Sequence, residues 1–121
     1  MATAPNTTLD TILDVIAGCT VVHACTSEPA DFAGIAAVSV GNYPLTAGDF
    51  TIADAVSGRQ VTLAAQTGQN GTGDGPANFL AYADATTLHY TTAASGETIN
   101  NGSPWTIAPY VVANVLDPVD V

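Results

Sequence analysis

The sequence predicts a mainly β protein, an antiparallel β-sandwich or barrel-like domain with one short N-terminal helix. Three observations carry that reading. Apolar residues recur at helical spacing only near the N-terminus. Beyond it, short runs of Val, Thr and Ala alternate with Gly-, Pro- and Asn-containing turns. Hydrophobic residues make up 47% of the 121 positions and charged residues only 10%, which suits one β-rich domain over 1–121 with a core of small and β-branched side chains.

Taken in order, residues 1–7 read as an N-terminal arm. The stretch "TTLDTILDVIAG" places Leu9, Ile12, Leu13 and Ile16 on one helical stripe. Thr7 or Thr8 caps its start, Gly18 ends it, and Asp10 lies near enough to the start to be favoured by the helix dipole, whereas Asp14 does not. "CTVVHACT" reads as a strand, "SEPADFAG" as a loop around Pro29 and "IAAVSV" as a short strand closed by the turn "GNYP". "FTIADA" and "RQVTLAAQ" form a hairpin about "VSG". Residues 67–78 form a glycine-rich loop, expected to be the most mobile segment. "FLAYAD" and "LHYTTA" are strands joined near Asp84–Thr87, "SGE" and "NNGSP" are turns, and "WTIAPYVVANVL" is the closing strand. Residues 117–121 are a polar tail.

The stretch "CTVVHAC" holds both cysteines and one of the two histidines, so it is the first place to look for a metal or redox site. In a strand Cys19, Val21, His23 and Cys25 share one face. The two cysteines then stand about 20 Å apart at ~3.3 Å per residue, too far for a disulfide or one shared ion. They are expected as free, buried thiols, with His23 a strand residue at a rim or an interface.

Other constellations are thin. Asn70, Thr72 and Asp74 before Gly75 mimic the start of a calcium loop, but Ala81 stands where a closing glutamate belongs, and only Asp84 or Asp54 would add charge. Ser57, Ser95 and Ser103 sit in turns, without a nucleophile motif. No P-loop or dinucleotide fingerprint occurs. The chain is expected to be no enzyme and to need no metal or cofactor. Of the eight aromatic residues, Tyr43, Tyr82, Tyr90, Trp105 and Tyr110 read mainly as core, with a sugar-binding face as the alternative.

Charge narrows the partners. Eleven acidic residues face one basic residue, Arg59, giving a formal net charge of −10. Such a surface repels nucleic acid and anionic membranes. Arg59 is expected to pair locally with Asp54 or Asp49, or else to anchor an interface between subunits. "MATAPNTTLD" lacks the features of a signal peptide, no apolar run spans a bilayer, and the three sequons at Asn6, Asn70 and Asn101 read as polar turns.

Three segments together resemble a loose group of small, acidic, β-rich virion proteins of tailed bacteriophages. They are the N-terminal helix running into "VVHACTSEPADF", the hairpin "DFTIADAVSGRQVTLAA", and "ANFLAYADATTLHYTTA" followed by "WTIAPYVV". The likeness covers about Leu9 to Asp117, with "SEP" and "SGRQVT" its most specific parts. It implies a non-enzymatic capsid decoration or cement protein assembled in a bacterial cytoplasm. Its partners would be the major capsid protein or another virion protein, and further copies of itself, with a trimer expected. A tail, fibre or glycan-binding receptor module is the alternative. The interface residues expected on this reading are Arg59, Thr3, Pro5, Asn6 and Pro118.

Overall fold

A computed structural model describes residues 6–55 and 58–115. The mainly β, sandwich-like architecture is as the sequence predicts, with three antiparallel sheets and an N-terminal helix. Helix α1 spans Asn6–Ala17. It buries Leu9, Leu13 and Ile16 of the stripe read from sequence; the Ile12 side chain lies outside what the structure describes. Burying each such leucine contributes about 1.5–3 kcal/mol. The helix already runs at Asn6, so Thr7 and Thr8 lie inside it and its first turn carries no acid. Asp10 therefore gains little from the dipole, contrary to expectation. Gly18 follows the last helical residue, its N–H donating to the Asp14 carbonyl.

The largest sheet has the order β2-β1-β6-β7, from β1 (Val21–Cys25), β2 (Ser39–Pro44), β6 (Gly75–Ala83) and β7 (Leu88–Ile99). A second sheet, β3-β4-β9, joins β3 (Phe50–Asp54), β4 (Arg59–Leu63) and β9 (Tyr110–Val115). A two-stranded sheet pairs β5 (Gln66–Asn70) with β8 (Pro104–Ile107). The shared core gathers Leu13, Ile16, Val22, Tyr43, Val61, Leu63, Leu80, Tyr82, Trp105 and Val112 from α1 and all three sheets.

Several elements differ from expectation. The run read as loop and strand over 32–38 is a second helix, α2 (Phe32–Val38). Asp31 caps it by accepting the Gly34 N–H at 2.8 Å. The expected turn "GNYP" belongs to β2, and the expected turn "SGE" continues β7. The closing segment splits into β8 and β9 around Ala108–Pro109, where proline cannot donate to a ladder.

The glycine-rich loop is not the loose segment its composition suggests. Its start forms β5, and beyond it the Gly71 N–H donates to Ser103 O and the Thr72 N–H to Val40 O, both at 2.8 Å. A side chain at Gly71 would put Cβ 2.4 Å from the Asn100 carbonyl oxygen. Glycine here permits close approach of two backbones rather than motion.

Candidate functional site

The opening cysteine stretch resolves into structure. In β1, Val22 and Ala24 face the core, while Val21, His23 and Cys25 pair with Ala83, Ala81 and Phe79 on the opposite face. α2 lies against β1, and Ile35, Cys25, Ala81 and Ala83 are buried. Contrary to the expectation from strand parity, Cys19 does not share the face of Cys25. It precedes the strand, in a turn where its N–H donates to Ile16 O, and it joins the core with Val22.

Both thiols are free and buried. Burial pushes each up to about 11, and the Asp84 charge adds to the effect at Cys19. Such thiols are poor nucleophiles and poor metal ligands. The His23 ring meets Ser39 Oγ at 3.2 Å, and burial lowers its basicity. Among the described residues, no three His, Cys, Asp or Glu side chains gather as a metal site requires.

Arg59 joins three elements. Its Nε donates to Asp10 Oδ1 at 2.8 Å and its Nη2 to Asp10 Oδ2 at 3.2 Å, a two-pronged bond to α1. Its Nη1 donates to Asp54 Oδ1 at 2.8 Å, across the β3–β4 pair. These bonds raise its already high pKa, Asp10 contributing most. The Asp54 partner was readable from sequence; Asp10, 49 residues away in the chain, was not.

Asp49, the other expected partner of Arg59, has another task. Its carboxylate accepts the Thr46 N–H at 2.8 Å and the Gln66 amide at 3.3 Å. Of the remaining expected interface residues, Asn6 is the first residue of α1, and Thr3, Pro5 and Pro118 lie outside the described residues.

Two further carboxylates organise turns. Asp84 Oδ1 accepts the Thr86 and Thr87 N–H groups, both at 2.8 Å, and its Oδ2 meets His89 Nε2 at 2.8 Å. The Thr86 N–H first, then the His89 ring and the Thr87 N–H, hold this carboxyl well below the usual range. Asp74, the charged member of the calcium-like trio, accepts the Asn101 N–H at 2.8 Å and ties two loops together.

The aromatic residues mostly build the core. Tyr43 and Trp105 pack with centroids 4.6 Å apart, and the Tyr43 hydroxyl donates to the Trp105 carbonyl. Tyr82 is buried and shares a hydrogen bond with the half-buried Tyr110, which also meets Thr92 Oγ1 at 3.1 Å. Of the five residues expected as core or sugar-facing, Tyr90 is the one exposed to solvent, at 37%.

Two apolar hollows lie beside β7, and a third, more polar one is lined by Glu28, Pro29, Ala30 and residues 88–91. A cleft of about 320 Å³ runs between β7 and the β8–β9 segment. Its floor is Leu80, Ile99, Trp105 and Ile107, and Ser95 and Glu97 bring polar groups to it. A second hollow of about 420 Å³ opens where α1, β7 and β9 meet, lined by Val15, Tyr90 and Val115 among others. Sequence reading missed both, because each is assembled from segments far apart in the chain. Comparisons with known protein families, characterised proteins and solved structures gave no match.

Proposed function

We propose that this protein is a non-enzymatic structural component of a tailed-phage particle, docking on the shell as a decoration or cement protein. The observation that carries the reading is the division of labour among side chains. Arg59 and Asp10 fasten α1 to the sheet, while Asp49, Asp74 and Asp84 hold turns. Two of the hollows beside β7 are apolar. Polar groups used this way stabilise a rigid body, and an apolar cleft on a rigid body suits docking.

On this reading the partner is the major capsid protein or another virion protein, and copies of the chain assemble together on the shell, a trimer being the expected state. Arg59 serves the interface from within the chain. By fixing α1 it fixes Asn6, the first residue of that helix. Phage resemblance in the three quoted segments supplies the particle context.

The test is the copy number of this chain in density-purified particles, measured by mass spectrometry against the main shell subunit. A ratio near that of the shell supports decoration. A few copies per particle points instead to a tail or fibre module, and absence overturns the virion reading. Adding the protein back to bare shells is expected to raise their melting temperature; unchanged melting argues against cementing.

A further inference from the structure

We infer that the cleft beside β7 receives an apolar side chain from an extended, basic segment of a protein partner. This deepens the docking reading and rests on it in taking the occupant to be another protein. Two features of the cleft define what fits. Its volume, about 320 Å³, and its lining of Leu80, Ala94, Ile99, Trp105, Ile107 and Tyr110 suit one bulky aliphatic or aromatic side chain. Its borders are strand edges. β7 is hydrogen-bonded to β6 alone and β8 to β5 alone among the described strands.

The β7 border is bulged between Ala93 and Glu97, so the β8 edge is the one that accepts a strand: an extended chain laid along Pro104–Ile107 gains main-chain hydrogen bonds, and its alternate side chains reach the cleft. That geometry favours a strand-like segment over a helix.

Charge sets the sign of the partner. The chain carries a formal net charge of −10, and its lone Lys or Arg side chain is held by Asp10 and Asp54. Glu97 is exposed at the cleft, and no cation meets it among the described residues. A second copy of the same acidic chain is repelled there, whereas a Lys or Arg next to the apolar anchor is drawn in. Contacts of this kind mainly speed and direct association.

The experiment is a titration of isotopically labelled protein, followed by amide and indole resonances. The probe is a short end-capped peptide of alternating valine and lysine around one central phenylalanine. Two control peptides replace every lysine by glutamate, or the phenylalanine by alanine. The expected result is shifts confined to Ala93–Glu97 and Trp105–Ala108, with each control binding at least about tenfold more weakly. Glu97→Lys, an exposed change that leaves the core intact, is expected to weaken the lysine peptide and strengthen the glutamate one.

Ala94→Trp, which fills the cleft, is expected to abolish binding while the rest of the spectrum stays native. If that variant does not fold, Glu97→Lys alone decides. Equal binding of the lysine and glutamate peptides, shifts elsewhere on the surface, or none at about 1 mM overturns the inference. Particle copy number is measured independently, so either reading can fail without the other.

Discussion

Gly41 offers the sharpest test of how the core is built. It lies in β2 opposite Ala24, on the core face of the largest sheet, and the Trp105 ring rests directly on it. A Cβ at this position would stand 2.8 Å from Trp105 Nε1 and 2.9 Å from Cε2. The ring has little room to retreat, because Tyr43 packs against it at 4.6 Å and its own carbonyl is held by the Tyr43 hydroxyl. Gly41→Ala therefore overpacks the core, a change that costs about 1–3 kcal/mol. A stiffer unfolded chain offsets about 0.4–1 kcal/mol of that, since Gly41 has no positive φ to lose. The net cost, about 1–2 kcal/mol, corresponds in a domain of this size to a melting temperature lower by roughly 3–10 °C. Thermal and urea unfolding followed by circular dichroism and by the fluorescence of the single tryptophan measure it. A melting temperature equal to or above the parent refutes the reasoning. A second arm identifies the ring as the obstacle. Trp105→Phe removes an indole N–H that has no partner among the described residues, and Gly41→Ala in that background is expected to cost at least about 1 kcal/mol less. Equal cost in both backgrounds places the strain elsewhere.

The remaining predictions concern ionisable groups. Cys19 and Cys25, buried and pushed up to about 11, are expected to resist a thiol-specific disulfide reagent at pH 8 in the native state and to react together in urea; fast native reaction of either contradicts their burial. His23 is less basic folded than its ordinary 6.5, so the unfolded chain binds the proton more readily and stability falls as pH drops below about 6.5. Its ring resonances are expected to titrate below that value, and a normal midpoint refutes the assignment. Asp84 and Asp49 are held below their ordinary 3.8, so their contribution is full at neutral pH and is lost as pH falls from about 5 through their folded values. Asp84→Asn is expected to flatten the acid limb of a plot of urea midpoint against pH, and an unchanged slope counts against the Asp84 turn. Arg59→Lys keeps the charge but loses the two-pronged bond to Asp10, and is expected to lower the urea midpoint nearly as far as Arg59→Ala; full retention by lysine shows that charge alone matters.

Local signals made some of this fold legible. The stripe of α1, the hairpin of β3 and β4 about Gly58, and β1 all depend on neighbours in sequence. α2 was hidden because "IAAV" is a short apolar run whose period suits a strand as well as a helix. The deciding signal was Asp31, an N-cap whose side chain meets Gly34 three residues on. β5 was hidden because "QTGQN" lacks the β-branched residues that mark strands, and its pairing with β8 supplies the order. The site was least legible of all. The Arg59–Asp10 pair and the cleft beside β7 are properties of the topology, and no local pattern in one sequence encodes either.

That topology also explains why the cleft exists. A barrel would close by pairing β7 with a strand of another sheet through its backbone. Here β7 is interrupted, its register against β6 slipping between Ala77 and Phe79 opposite a stretch that contains Gly96 at φ 79°. Such a bulge bends the strand and spoils its edge for a regular ladder. The sheets are instead joined on this side by side chains, with Thr92 of β7 and Tyr82 of β6 both bonded to the Tyr110 hydroxyl of β9. A hydroxyl bridge holds one point where a ladder would seal a whole edge. The cleft of Leu80, Ile99 and Trp105 has Tyr110 in its wall, and the hollow of Val15 and Tyr90 lies against Ala113–Val115 further along the same strand. The first opening borders the bulged stretch of β7, and the tyrosine bridge holds the sheets together while the flank on either side stays open.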